Sequence, residues 1–267
     1  MPADSRALDE LKLDALDWVS GKSALLVWRL LEELGLDIRI YDDGELLMAA
    51  APGEADPNLS HAYGLARLPN LVDEARRFYD DHHVTGCLIT DGPPWPNSVA
   101  QPVMDALAAN PADIAAVDGP AGLRIDRLTD ADAADWLAVR SAGGSERPDD
   151  YYWTEEFVRA LVGAPHATLL VARIGDEPVG VAWTYVGHKT AWLRGGAVVP
   201  DRRRQGIHRA LIAERARLAA EAGCNLIGVW AETGSTAARN LATMGLQRVG
   251  TREHHAYSPA RAAVVVR

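Results

Sequence analysis

Cysteine is nearly absent from this chain: Cys87 and Cys224 are the only two in 267 residues. That excludes a disulfide framework and a multi-cysteine zinc site. Lysine is almost as scarce, with Lys12, Lys22 and Lys189 alone, so positive charge rests on arginine. No apolar run reaches the roughly 20 residues that a membrane-spanning helix requires. The opening Met1-Pro2-Ala3-Asp4-Ser5-Arg6 has neither the charged nor the apolar region of a secretory leader. No extended basic face appears outside one loop and its helix, which argues against nucleic acid as a main partner. These absences predict a soluble cytoplasmic protein, with no membrane and no nucleic acid among its partners; its oligomeric state is left open.

What is present is 48% hydrophobic residues in a 28.8 kDa chain, enough for two cores of ordinary size. The net charge of −10 is unevenly placed. Residues 1–120 hold 8 Lys/Arg against 21 Asp/Glu, while residues 121–267 hold 19 against 16. The second half is therefore the one suited to a polyanionic ligand. Asn110–Gly122, with Pro111, Gly119-Pro120 and Gly122, reads as a boundary between an N-terminal α/β domain (1–115) and a C-terminal domain (122–267).

The most informative stretch is Pro200-Asp201-Arg202-Arg203-Arg204-Gln205-Gly206-Ile207-His208-Arg209. It leaves a strand ending at Val199 and opens a helix over Ile207–Glu221. The first N–H groups of a helix lack intrahelical partners and carry the positive end of its dipole. Gly206 permits a tight turn and close approach, and the arginines add charge, so a phosphate or pyrophosphate is the expected ligand. An ordinary arginine-rich turn is the plain alternative.

Arg203-Arg204-Gln205-Gly206-Ile207-His208 resembles the Arg/Gln-x-x-Gly-x-Gly/Ala loop of the GCN5-related N-acetyltransferases, which binds the diphosphate of acetyl-coenzyme A. His208 departs from the usual Gly or Ala. The order of elements agrees with the resemblance. A strand over Leu123–Leu128 precedes helices begun by Thr129 and Thr154. A hairpin follows, pairing Ala167–Ile174 with Val179–Val186, and then a strand over Thr190–Val199. After the loop and its helix come a strand over Asn225–Glu232, a helix over Ser235–Met244 and a strand pair near Gln247–Tyr257. The fold expected is α/β with a mixed sheet. In the first half, helices are expected at Leu8–Val19, Ser23–Leu34, Leu71–Asp80 and Val99–Ala109, with a hairpin across Asp42-Asp43-Gly44. Ser60-His61-Ala62-Tyr63-Gly64-Leu65 and Phe78-Tyr79-Asp80 look like the degenerate N-terminal domains of some two-domain acetyltransferases; an unrelated α+β domain is the alternative.

The resemblance implies an acetyl-coenzyme A-dependent N-acetyltransferase acting on the primary amine of a small molecule, with a protein N-terminus or lysine side chain as the alternative acceptor. Such a reaction needs the thioester held near the amine, a proton acceptor, and donors for the developing oxyanion. Gly195-Gly196 is the candidate for the bulge that opens the family's central strands, with the backbone of Ala197, Val198 and Val199 facing the cofactor. Arg203, Arg204, Gln205, Gly206, Ile207, His208 and Arg209 complete the expected cofactor site. Leu241 stands where the family often has the Tyr that protonates the departing thiolate. Glu232, at a strand end, is the candidate base, or else an ordinary partner for Arg239. His188 and His254-His255 are weaker candidates, and no metal site is expected. Tyr151, Tyr152 and Trp153, among acidic neighbours, and Tyr185 are candidate acceptor contacts, with helix packing as the alternative for the first three. A catalytically silent acyl-coenzyme A-binding protein is the competing reading.

Overall fold

A helix of 29 residues, α1 (Ser5–Glu33), begins the computed structural model, which describes residues 5–52, 59–100, 102–143 and 152–259. It runs through Ser20-Gly21-Lys22, where two separate helices were expected. Gly21 marks contact with the sheet and does not end the helix. A Cβ there would stand 3.0 Å from Leu47 Cδ1 and 3.2 Å from Tyr63 Cβ. Leu16 lies closer still to Gly228, where a Cβ would meet its Cδ2 at 2.2 Å.

The expected hairpin forms from β1 (Arg39–Asp42) and β2 (Leu47–Ala50), with the Asp43 carboxylate accepting from the Glu45 and Leu46 amides. Then come β3 (His61–Tyr63), α2 (Val72–His82) and β4 (Gly86–Thr90). The helix expected over Val99–Ala109 is instead a strand, β5 (Val103–Ala109). Its Met, Leu and Ala residues favour a helix in isolation. Pairing on both edges and burial on both faces override that preference: Ala106 and Ala108 enter one core cluster and Leu107 another.

The second half follows the expected order closely. It comprises β6 (Leu123–Arg127), α3 (Ala133–Gly143), α4 (Glu155–Gly163), β7 (Ala167–Ile174), β8 (Glu177–Gly187), β9 (Thr190–Val198), α5 (Ile207–Glu221), β10 (Leu226–Glu232), α6 (Thr236–Thr243) and β11 (Gln247–Tyr257). Thr154 caps α4, its hydroxyl accepting from the Phe157 amide at 3.1 Å. The terminal strand pair is in fact the one long strand β11, which pairs with β5 and β4 and bulges between Arg248 and Gly250.

The eleven strands of the described residues join one mixed sheet in the order β1-β2-β3-β4-β11-β5-β10-β9-β8-β7-β6. Asn110–Gly122 is therefore a link in the chain but not a seam in the sheet, because β5 lies between β10 and β11. One face carries α1, α3 and α4 over a core that includes Leu16, Trp28, Trp136, Phe157 and Trp183. The other carries α2, α5 and α6. A buried ion pair, Asp17–Arg252, fastens α1 to β11. Among the described residues no helix is long and apolar enough to cross a membrane.

Candidate active site

The site originates in a failure of sheet pairing. Strands β9 and β10 run parallel and pair only from Leu226↔Thr190 to Gly228↔Trp192. Beyond Trp192 they part, while β10 stays paired with β5 as far as Glu232↔Met104. On its other edge β9 pairs with β8, and the register moves from Val181↔Ala197 to Trp183↔Arg194, so one extra residue of β9 is accommodated at Gly195-Gly196. This is the expected bulge. Gly195 has φ +56°, and a Cβ there would stand 2.7 Å from Cδ1 of the buried Trp183 ring.

Two cavities meet at this bulge. One, of about 490 Å³, is bounded by Gly143, Ala197, Val198, the loop Arg202–Arg204 and the opening turn of α5. Gly206, the N-cap, has φ +87°, and its carbonyl accepts the first helical bond from Ala210 at 3.0 Å. The amides of Ile207, His208 and Arg209 thus have no acceptor within the helix. Arg203 is committed to the backbone, donating to Val198 O at 3.3 Å and Gly143 O at 3.2 Å. Arg202 pairs with Glu177. Arg204 and Arg209 form no ion pair among the described residues and remain at the cavity's edge. Two expected members stand apart. Gln205 turns back to Asp201 O, and the Val199 amide is bound to Val179 O at 3.1 Å. Neither borders the cavity. Alternation along β9 then turns the Val198 amide toward the open side.

The second cavity, about 520 Å³, continues from Gly196 and His208 into the gap between β9 and β10. Glu232 stands at its edge, exposed. Arg239, its alternative partner, donates instead to Gly234 O and Thr236 Oγ1. The walls are aromatic. Tyr63 stacks on Trp230 at 6.0 Å, Trp192 meets the same indole edge-on at 5.3 Å, and His254 lies 5.7 Å from it. The buried Trp230 Nε1 and His254 Nε2, on two residues that line this cavity, have no hydrogen-bond partner among the described residues.

Burial tunes the titratable groups here. His208 does not point to solvent; its ring sits where the cavities join, with Nε2 3.2 Å from where a Gly196 Cβ would be. Desolvation, then the nearby Arg215 charge, lower its pKa to about 4, so it is neutral near pH 7. Desolvation followed by the His255 charge does the same to His254, again to about 4. Burial raises the Tyr63 hydroxyl to about 12. His61, Cys87 and His254 place their ligand-type atoms within 4.8 Å of one another. Burial raises the Cys87 thiol to about 12, so it is protonated near pH 7 in the metal-free protein.

The expected acceptor contacts fare differently. Tyr151 lies outside the described residues. Tyr152 and Trp153 pack among α3 and α4: Trp153 lies 5.1 Å from Trp136 and 5.0 Å from Phe157, under the Arg140 guanidinium at 4.5 Å. Tyr185 is buried opposite Trp192 in the β8–β9 ladder. None of these three borders either cavity. Residues that do, and that the sequence did not single out for the site, include Ser20, Tyr63, Met104, Arg194, Arg215 and Trp230.

The family model described as the acetyltransferase (GNAT) family matches residues 126–246. No curated protein matches the chain. Among solved structures, a GCN5-related N-acetyltransferase from Kribbella flavida superposes with a TM-score of 0.61 at 16% identity, covering 91% of this chain and 96% of its own. One from Sphaerobacter thermophilus gives 0.57 at 14% identity, covering 80% of each. A tandem GNAT protein from the clavulanic acid biosynthesis pathway gives 0.54 at 15% identity, covering 80% of this chain and 78% of its own. The split between β9 and β10, the bulge at Gly195-Gly196 and the amide-lined mouth of α5 all fall within the matched segment, so residues 126–246 form a GNAT acetyltransferase domain.

Proposed function

We propose that this chain transfers an acetyl group from acetyl-coenzyme A to the primary amine of a small molecule, by direct attack on the thioester. The observation that carries this reading is the meeting of the two cavities at the β9 bulge, with free helix amides at one end and Glu232 at the other. The amides of Ile207, His208 and Arg209, with Arg204 and Arg209, hold the diphosphate; Arg203 braces the loop. The pantetheine arm then lies along the unpaired edge of β9, and the Val198 amide donates to the carbonyl oxygen as it becomes negative. Glu232 takes the ammonium proton, directly or through water, and the freed amine attacks the carbonyl carbon. The C–S bond breaks and the thiolate leaves; the nitrogen sheds its remaining extra proton to solvent as the amide forms, and solvent protonates the thiolate, since Leu241 has no proton to give.

The N-terminal half serves in this reading as a degenerate GNAT-like partner that walls the cleft with Ser20, Tyr63 and Met104. The likeness over 91% of the chain supports its fold. The competing reading, a silent acyl-coenzyme A binder, draws on His208, whose ring stands in the throat between the cavities. Calorimetry with coenzyme A, run beside thiol release from acetyl-coenzyme A across an amine panel, separates the two. Binding with turnover supports the transferase, and binding without turnover on any amine supports the silent module. Absence of binding removes both.

A further inference from the structure

Three arginines among the described residues are buried: Arg173, Arg215 and Arg252, at 9%, 4% and 3% exposure. Two are answered by carboxylates. Arg173 lies between Asp132 and Asp135 at 2.8 and 2.9 Å, and Arg252 grips Asp17. Arg215 is not. Its Nε donates to Leu211 O at 3.1 Å and its Nη1 to Arg194 O at 3.4 Å. Among the described residues its Nη2 makes no hydrogen bond, and it lies 3.6 Å from where a Cβ on Gly196 would stand, with Arg215 bordering the cleft. The Arg194 side chain, also on the cleft, meets only the Ser23 hydroxyl at 3.0 Å and the Trp183 ring at 5.2 Å among the described residues.

A buried guanidinium without a counter-ion is costly to keep. A ligand that supplies the anion removes that cost when it binds. The coenzyme A diphosphate is not that ligand in the reading above, because its cavity is lined by the loop and the opening turn of α5, whereas Arg215 borders the other cavity. We propose that Arg215, with Arg194 beside it, binds a carboxylate carried by one of the two substrates at the inner end of the cleft. This rests on the acyl-transfer reading of the same cleft. The planar guanidinium fork matches a carboxylate in two-point contact. The carboxylate belongs either to the far end of a dicarboxylic acyl group or to an amino-acid-like acceptor.

Affinity separates these sources without requiring turnover. In the acyl arm, succinyl-coenzyme A is compared with butyryl-coenzyme A. In the acceptor arm, amino acids are compared with their methyl esters in the presence of coenzyme A. Calorimetry is expected to show at least fivefold tighter binding of the carboxylate form in one arm, falling below twofold in Arg215→Gln. Less than fivefold discrimination in both arms, or discrimination undiminished in the variant, overturns the proposal. If Arg215→Gln does not fold, Arg215→Lys, which keeps the charge and loses the fork, is held to the same criterion. Thiol release with the amine panel reports separately on acyl transfer, so a cleft that binds carboxylates without turning over is told apart from one that does neither.

Discussion

Replacing Glu232 by Gln tests the proposed chemistry at a single atom. The side chain is exposed at the end of β10 and forms no ion pair among the described residues; only its main-chain carbonyl is used, by the Ser235 amide at 3.0 Å. The amide is nearly isosteric, so stability should change by less than about 0.5 kcal/mol. Coenzyme A affinity should also hold, because the diphosphate cavity is lined by the loop and α5 rather than by β10. What is removed is a proton acceptor, and general base catalysis contributes about 10²–10⁴-fold. That corresponds to roughly 2.7–5.4 kcal/mol of barrier height. The assay is thiol release under saturating acetyl-coenzyme A, with calorimetric titration of coenzyme A on the same preparation. A turnover number within threefold of the parent, with the same pH–rate profile, would refute the assignment of Glu232. A hundredfold loss accompanied by an equal loss of cofactor affinity would refute the division of labour between the two cavities.

Gly195→Ala should unfold the bulge or distort it, since an L-residue at φ +56° and a Cβ 2.7 Å from the buried Trp183 ring together cost several kcal/mol, on the order of 2–4; a melting temperature within 2 °C of the parent would contradict this. Arg252→Leu leaves Asp17 buried without a partner and should cost about 3–5 kcal/mol, lowering the melting temperature by on the order of 10 °C. Stability should also fall in acid through His208 and His254. Each has a folded pKa lowered to about 4 from the ordinary 6.5, so the unfolded chain binds their protons first. Their contribution is intact above pH 6.5 and is lost as pH falls toward 4. Urea unfolding between pH 4 and 7 should show a slope that His208→Gln reduces; an unchanged slope would exclude His208 as a source.

The parts legible in the sequence are those set by neighbours along the chain. Arg203–Arg209 announced the mouth of α5 because turn, charge and amphipathic helix are contiguous. Gly195-Gly196 announced the bulge because glycine pairs are poor ladder formers. Tyr152 and Trp153 misled because an aromatic–acidic cluster has two meanings. Thr154, however, is the N-cap of α4, and an apolar residue just before an N-cap commonly packs back onto the first helical turn. Trp153 does so against Phe157. The cleft walls were illegible for a different reason. Ser20, Tyr63 and Met104 belong to three segments of the first half, and only long-range pairing brings them beside Trp230. Arg215 was hidden among the many arginines of the chain. Its significance is an absence, the carboxylate that Arg173 and Arg252 have and it lacks, and absence of a spatial partner leaves no trace in a linear pattern.

The position of β5 leads to a prediction that the chain's composition would not suggest. A boundary at Asn110–Gly122 invites expression of residues 122–267 alone, which include the whole segment matched by the family model. In the sheet, however, β5 pairs with β10 from Ile227↔Ala109 to Glu232↔Met104 and with β11 from Gln247↔Ala108 to Glu253↔Val103. Removing it strips both strands of a ladder and leaves two long facing edges, each a template for intermolecular pairing. It also removes α1, and with it the Leu16 contact over Gly228 and the counter-charge of Arg252. The fragment should therefore aggregate or remain unfolded. Co-expression with residues 1–115, which carry both α1 and β5, should restore a soluble complex that binds coenzyme A. Size-exclusion chromatography and far-ultraviolet circular dichroism of the fragment decide the matter. A monodisperse fragment with native sheet content would mean that β10 and β11 can close on each other without β5, and the cleft would then be the property of one half rather than of the interleaved whole.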